Sequence, residues 1–467
     1  MFKKIEIWIL YLTILIGILF ALGFGVLVRQ ELEGMTKSGN IDISFLTKPA
    51  AYIARLPEYI LFAYLRDPNR VSDSWRSDRP FFKQDGFLGD KSIDEKYLLL
   101  SRYDGDLREG LVDLVDLRTF EVVHTWNPDI NYLNSLVEKK DEFGNIERDD
   151  DNSRKRIMHP LLTSDGGLIF GWNSPIRKID SCSNLIFDNS KDMFHHSIES
   201  DIEGNTWAPS HMYPTKIPIE KVGTLKVNKI GKNDIFLDDA IVKLSPKGEI
   251  LYEKSIPEMF IENDLEYLLF SVGDRLFDYD PIHLNDIQPV DFDGKFWKKG
   301  DVFLSLRHQS MVLLYRPSTN KIIWKGTGKY FHQHDVDILD DSRIAVFNNN
   351  SKDFVGGDIV DGFNEVVIYD FETDEYSYYL PQSLEENDVR TVTEGRSEIL
   401  PNGDLLVEET NFGRTLYFNA DGTLRWTHVN RAKNGEVYYV GWSRLLYKDS
   451  DIKNVKYFLN SRGVCNE

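Results

Sequence analysis

The sequence predicts an all-β fold: a six-bladed β-propeller over residues 96–467, preceded by an N-terminal transmembrane helix and a short helical and linker segment. Three observations lead there. From about residue 97 short apolar runs alternate with turn residues, which is strand behaviour. The runs group into six units of four strands each, repeating every ~40 to 60 residues as propeller blades do. A histidine stands at the head of several units: His196, His283 and His334. In a propeller the first strand of every blade lines the central channel, so equivalent residues of distant repeats converge on one ring.

Residues 1–6 are read as a cytoplasmic N-terminus and residues 7–28 as a membrane anchor. The anchor carries no charge across 22 positions and spans ~33 Å as a helix, enough for a hydrocarbon core. Lys3 and Lys4 precede it, which orients the N-terminus to the cytoplasm and the propeller to the exported, periplasmic or extracellular, side. The run ends FGVLVRQELEG with no A-x-A cleavage site, against a removed signal peptide. Residues 29–95 are read as a juxtamembrane segment: apolar residues at mixed helical spacing over 47–66, interrupted by Pro57, then a loop rich in Asp, Arg, Ser and Gly over 67–95.

The clearest blade runs 284–327, as LNDIQPV, VFLSLRH, MVLLYRP and KIIWKGT. The next two follow with DVDIL, RIAVFNN, EVVIYDF and EYSYYLP, and with SEILP, DLLVEET, RTLYFNA and TLRWTHV. Earlier units lie at 97–127, 161–189 and, with a long insertion, 197–255. Tyr252, Trp324, Tyr378 and Trp426 each follow the last turn by four residues and are expected to pack between blades. Stretches 128–157 and 213–238 read as exposed excursions, the DDD run of the first lacking calcium-loop spacing. The tail around Trp442, Ser443 and Arg444 can complete the first blade and so remove an exposed edge.

A net charge of −20 leaves no basic excess for nucleic acid, and no nucleic-acid partner is expected. Cys182 and Cys465 can pair in an exporting compartment, or remain two free thiols. There is no CxxC, no G-x-S-x-G and no P-loop.

Aligning the units on their first turn places His196 eight residues before Gly204, His334 eight before Ser342 and His283 eleven before Gly294. Arg396 and His159 occupy the same place, seven residues before Gly403 and Gly166. Arg307 ends the second strand of the 284–327 unit. Imidazoles with a guanidinium suit a tetrahedral oxyanion, because the guanidinium fork matches its oxygens; a neutral imidazole can also attack sulfur or phosphorus. Clustered histidines can equally bind metal, through His332 with His334 or His195 with His196. The nearby arginine and few carboxylate partners weigh against that, and neither metal nor cofactor is expected.

DPIHLNDIQPV, FLSLRHQS, FHQHDVDIL with AVFNNN, and FHHSIESDIEGNTW resemble segments of the arylsulfate sulfotransferase family of six-bladed propellers. The resemblance covers roughly residues 95–450 and is most specific over 280–350. It implies nucleotide-independent transfer of a sulfuryl group from an aryl sulfate to a phenol through a sulfated histidine. The nucleophile falls on His334, with His283, Arg307 and His196 supporting it; His195, His308, Arg396 and His159 are expected to assist in substrate binding. The departures are the retained anchor, the lack of a convincing internal disulfide near the site, and an N-terminal region unlike the small β-domain some members carry. The alternative is a non-catalytic, membrane-tethered propeller that binds an anionic ligand or a protein. A quinone-dependent dehydrogenase would want more blades, regular Trp motifs and a calcium site.

Overall fold

Strands buried on both faces are the first sign of how the sheets pack. In the 284–327 unit, Val302–Leu306 is buried throughout and Met311–Arg316 nearly so, whereas the outermost strand Lys321–Thr327 alternates exposed and half-buried residues. Inner strands of a sheet lying between two other sheets have no solvent face, so both sets of side chains are apolar; only the outer edge recovers a two-residue period.

The protein is described by a computed structural model covering residues 6–32, 37–38, 41–60, 69–72, 79–140, 142–217, 236–270, 280–354, 357–461 and 465. It forms two compact units, residues 1–68 and 69–467. The first contains helix α1 (Ile7–Leu32), whose segment Ile7–Glu31 is long and apolar enough to cross a membrane. Helix α2 (Ser44–Ile60) continues through Pro49 and Pro57, so Pro57 does not interrupt it. Lys3 and Lys4 lie outside the described residues, as do residues 218–235 of the second expected excursion.

The second unit is mainly β and propeller-like. Among the described residues, four antiparallel sheets of four or five strands stand separate from one another. One holds Leu284–Pro289, Val302–Leu306, Met311–Arg316 and Lys321–Thr327 in chain order. The next holds His334–Ile338, Arg343–Asn348, Glu365–Asp370 and Glu375–Tyr378. A third holds Arg396–Ile399, Leu405–Glu409, Arg414–Phe418 and Leu424–Val429, and Gly86–Gly89 adds a fifth strand at its outer edge. In the fourth, the tail strand Arg444–Leu446 pairs with Tyr97–Leu99 ahead of Glu109–Asp116 and Glu121–Trp126. Residues 161–255 form one eight-stranded sheet, because Met193–Phe194 at the end of Leu185–Phe194 pairs with Ser210–His211 of Thr206–His211.

The second compact unit begins at Asn69, and within the stretch grouped with the linker by composition Gly86–Gly89 forms a strand of the third sheet. The 128–157 excursion is also less exposed than its charges suggest. Lys155 is fully buried, with Nζ on Asp150 (2.9 Å), Ser174 Oγ (2.9 Å) and the Trp172 carbonyl (2.7 Å), and Phe143 is buried beside Val137 and Ile146. A buried lysine is tolerable only when its donors are satisfied and its charge is paired. The tail also carries an amphipathic helix, Asp449–Ser461, which the strand pattern does not predict; it seats Phe458 against Trp126 and His124. Beyond it, Cys465 is disulfide-bonded to Cys182.

Three of the four expected inter-blade aromatics join neighbouring sheets. Trp324 stacks on Tyr369 at 4.8 Å, the Tyr252 hydroxyl meets that of Tyr315 at 3.1 Å, and Trp426 packs with Leu98 and Leu100. Tyr378 is instead exposed at the sheet edge.

The innermost segments are tied to one another in sequence by side chains that accept backbone N–H groups. Ile198 N–H donates to His159 Nδ1 (3.2 Å), Ile287 N–H to Ser197 Oγ (3.1 Å) and Val336 N–H to Asp286 Oδ2 (2.8 Å). Ser397 N–H donates to Asp335 Oδ2 (2.8 Å), while Trp442 and Ser443 N–H groups donate to the Glu408 carboxylate (2.6 and 2.7 Å). The Arg444 guanidinium then reaches the carbonyls of Pro160 (2.9 Å) and Ile198, returning to where the series began. Inner strands of separate sheets share no ladder, so side chains satisfy the N–H groups that ladders would otherwise take.

Candidate active site

Left-handed backbone recurs where the inner strands begin. His159, His196, His283, Glu394 and Trp442 have φ of 46°, 55°, 54°, 55° and 57°; near His334 it is Asp335 (46°) and His332 (52°) that do. Non-glycine residues there cost on the order of 1–3 kcal/mol each and cluster at functional sites. The shift to Asp335 coincides with an irregularity in pairing between His334 and Val336.

Three of these positions bring their imidazoles together. The His196 ring centre lies 5.1 Å from that of His283 and 6.1 Å from that of His334. Trp442 closes one side, 6.0 Å from His334 and 6.4 Å from His196, and Trp172 lies 5.0 Å from His196. His334 is fully buried, whereas the His283, His308 and Arg307 side chains keep partial exposure. Arg307 is fixed by its own N–H on the His283 carbonyl (3.0 Å); its Nε is buried without a hydrogen-bond partner, and Nη2 lies 3.5 Å from Asp358 Oδ2. A buried donor without a partner marks a place where a ligand acceptor would be favourable.

The tautomer of His334 follows from its neighbours. Asn349 Nδ2 donates to the carbonyls of Thr391 (3.1 Å) and Glu394 (2.8 Å), which turns Oδ1 toward His334 Nδ1 at 2.7 Å. The His332 carbonyl is a second acceptor at 3.1 Å, so Nδ1 carries the proton. Nε2 therefore holds the lone pair, and it accepts the Glu394 N–H at 3.2 Å. Burial, with the positive charge of Arg307, holds His334 well below the ordinary histidine range and keeps it neutral. Burial lowers His196 too.

His283 Nδ1 meets Asp280 Oδ2 at 2.6 Å, and His308 Nδ1 donates to the Asp280 carbonyl at 2.6 Å. Burial lowers His308 as well.

The other predicted residues lie elsewhere. Arg396 is buried with Asp335 (3.7 Å), Glu398 (3.6 Å) and the Ser443 carbonyl (3.1 Å), as counter-charge to the carboxylates on the inner strands. His159 packs on Trp442 at 5.3 Å, its Nδ1 taken by Ile198 N–H and its Nε2 3.3 Å from Glu199. His195 directs Nε2 toward Asp239, beside His211, while its Nδ1 meets His196 Nδ1 at 2.8 Å. Arg396 does not join the three-histidine group.

Asn349, Asp280 and Trp172 were not singled out from the sequence. Asp280 and Asn349 sit inside the quoted DPIHL and AVFNNN segments, where a polar partner for each histidine could have been sought. A further signal is the spacing His196–Glu199, His283–Asp286 and His334–Asp337, a carboxylate three residues along each inner strand. Burial raises Asp286 and Asp337, and Asp335 is pushed up to about 6 by the same cause.

The sequence profile of the arylsulfotransferase (ASST) family matches residues 159–431. No curated protein matches the chain significantly. Among solved structures, a protein of unknown function from Bacteroides caccae aligns over 74% of this chain and 98% of its own, at 12% identity and a TM-score of 0.45. The WD40 β-propeller domain of Doa1 aligns over 79% and 99%, at 12% and 0.36. Virginiamycin B lyase from Staphylococcus aureus aligns over 73% and 86%, at 10% and 0.34.

Proposed function

Because this chain belongs to the arylsulfotransferase (ASST) family, we propose that it transfers a sulfuryl group from an aryl sulfate to a phenol through His334. The observation that carries this reading is a neutral, buried imidazole, protonated on Nδ1 against Asn349, that is grouped with two further imidazoles and feels the charge of Arg307. The Nε2 lone pair attacks sulfur, the S–O(aryl) bond breaks and the phenolate leaves. An acceptor phenolate then attacks the same sulfur, and the N–S bond breaks. Arg307, His196 and His283 hold the sulfuryl oxygens, with donors fixed in place before charge develops. Asn349 Oδ1 keeps the proton on Nδ1 and supports the positive charge that His334 gains while sulfated.

The Glu394 N–H must release Nε2 for attack. That contact favours a second reading, in which the pocket binds an anion without turnover. Steady-state kinetics with 4-nitrophenyl sulfate and a phenol separate the two. Transfer gives nitrophenol release with parallel double-reciprocal lines as the acceptor varies; saturable binding without release leaves the binding reading.

We further read the β unit as six blades, counting the 161–255 sheet as two joined by the Met193–Phe194 pairing; the hydrogen-bonded series of inner segments supports that count. Helix α1 is read as a single-pass anchor with the N-terminus cytoplasmic and the β unit exported. The Cys182–Cys465 disulfide supports an oxidising compartment.

A further inference from the structure

One cluster of buried ligating groups is left unused by sulfuryl transfer. His195 precedes the inner strand of the 197–255 unit, His211 ends Thr206–His211 and Asp239 begins Asp239–Leu244, directly across the ladder from His211. His195 Nε2 lies 3.2 Å and His211 Nε2 3.3 Å from the same oxygen, Asp239 Oδ1, and all three ligand atoms fall within 4.8 Å of one another. Asp239 is fully buried and His195 nearly so, yet neither His195 Nε2 nor Asp239 Oδ1 has a hydrogen-bond partner. The other carboxylate oxygen, Oδ2, accepts the Leu284 N–H at 3.1 Å, which aims Oδ1 at the two imidazoles.

We propose that His195 Nε2, His211 Nε2 and Asp239 Oδ1 bind one divalent ion of the zinc class. Zn–N and Zn–O bonds of about 2.0–2.2 Å in tetrahedral geometry put neighbouring ligand atoms roughly 3.3–3.5 Å apart. The two separations, 3.2 and 3.3 Å, are close to that, and they lack the directionality of hydrogen bonds. Two imidazoles and one carboxylate are a set that zinc-type ions accept with a fourth position left to solvent, and the half-buried His211 supplies that side. The neighbouring Asp280, His283 and His308 group is different in kind, since its short His–Asp contacts are hydrogen bonds. A metal on His195 Nε2 places the proton on Nδ1, where it donates to His196 Nδ1 at 2.8 Å. His196 then presents Nε2–H to the pocket; this consequence, unlike the site, rests on the sulfuryl-transfer reading.

The full chain in detergent, free of any histidine tag and stripped by a chelator, is titrated with Co²⁺ and then with Zn²⁺. The expected result is one equivalent of Co²⁺ with the intense visible bands of a tetrahedral site, displaced by Zn²⁺. His211→Ala and, as a variant that keeps volume, Asp239→Asn each weaken binding at least ~100-fold, with the far-ultraviolet circular dichroism unchanged. His308→Ala binds as the parent does. Absence of the bands in the parent protein, retention of full affinity in the folded His211→Ala or Asp239→Asn protein, or loss in His308→Ala alone would overturn the assignment. None of these readouts depends on sulfuryl transfer.

Discussion

His334 owes its chemistry to two neighbours that pull in one direction. Asn349 holds the proton on Nδ1, and Arg307 with burial keeps the ring neutral. Its protonation is therefore complete only well below the ordinary histidine range, so the transfer rate should not fall with the loss of neutral His334 as pH drops from 8 to 6. A pH–rate profile that loses activity with a midpoint near 6.5 would contradict this. Arg307→Ala should cost on the order of 10²–10³ in kcat, as removal of a fixed donor to developing charge does. Asn349→Ala should cost roughly 10²-fold, with the nitrophenol burst slowed and the fold retained. The sequence was informative at this scale where residue type and repeat position coincide, at His196, His283 and His334. It was blind to Asn349 and Asp280, because a histidine's orienting partner is set by three-dimensional approach, here across 15 residues in one case and 3 in the other.

At the scale of elements, period-two alternation failed in the inner strands and succeeded at the outer ones. Strands such as Val302–Leu306 are apolar on both faces, so existence and turns were legible while facing was not. Arg396 illustrates the cost: its repeat position matched the histidines, but the carboxylates at Asp335 and Glu398, invisible to a one-dimensional alignment, hold it away from the pocket. The helix Asp449–Ser461 was lost for the opposite reason, its few apolar positions lying among charges after a long run of strands. Glu408 joins the tail to the third sheet through two backbone N–H groups. Glu408→Ala should strand both donors and lower stability by ~2–5 kcal/mol, read from urea unfolding, and should disturb the Trp442 wall of the pocket. An unchanged midpoint would mean that the tail is held by its strand pairing with Tyr97–Leu99 alone.

Across the whole β unit, buried neutral imidazoles make stability sensitive to acid. Burial lowers His428 to about 3. Unfolded, it takes up a proton below about 6.5; folded, it does not until about 3. Its contribution is therefore intact above pH 6.5 and is lost as pH falls toward 3, reaching about 2 kcal/mol by pH 5. His428→Leu should flatten the dependence of Tm on pH between 6.5 and 4, and a slope identical to the parent's would refute the assignment. The Cys182–Cys465 bond spans 283 residues, and reducing it should cost ~2–5 kcal/mol, seen as a lower Tm under reductant that Cys182→Ala reproduces. Nothing in a two-cysteine sequence distinguishes paired from free thiols; only the approach of the tail to the 180–184 turn does so.

The measurement that tests the central claim most directly is intact-protein mass spectrometry after brief exposure to 4-nitrophenyl sulfate, with His334→Ala alongside. The account predicts a sulfuryl-sized gain on the parent protein, removed by added phenol and absent from the variant. Nitrophenol release without any adduct on His334, or an adduct that persists in His334→Ala, would contradict it.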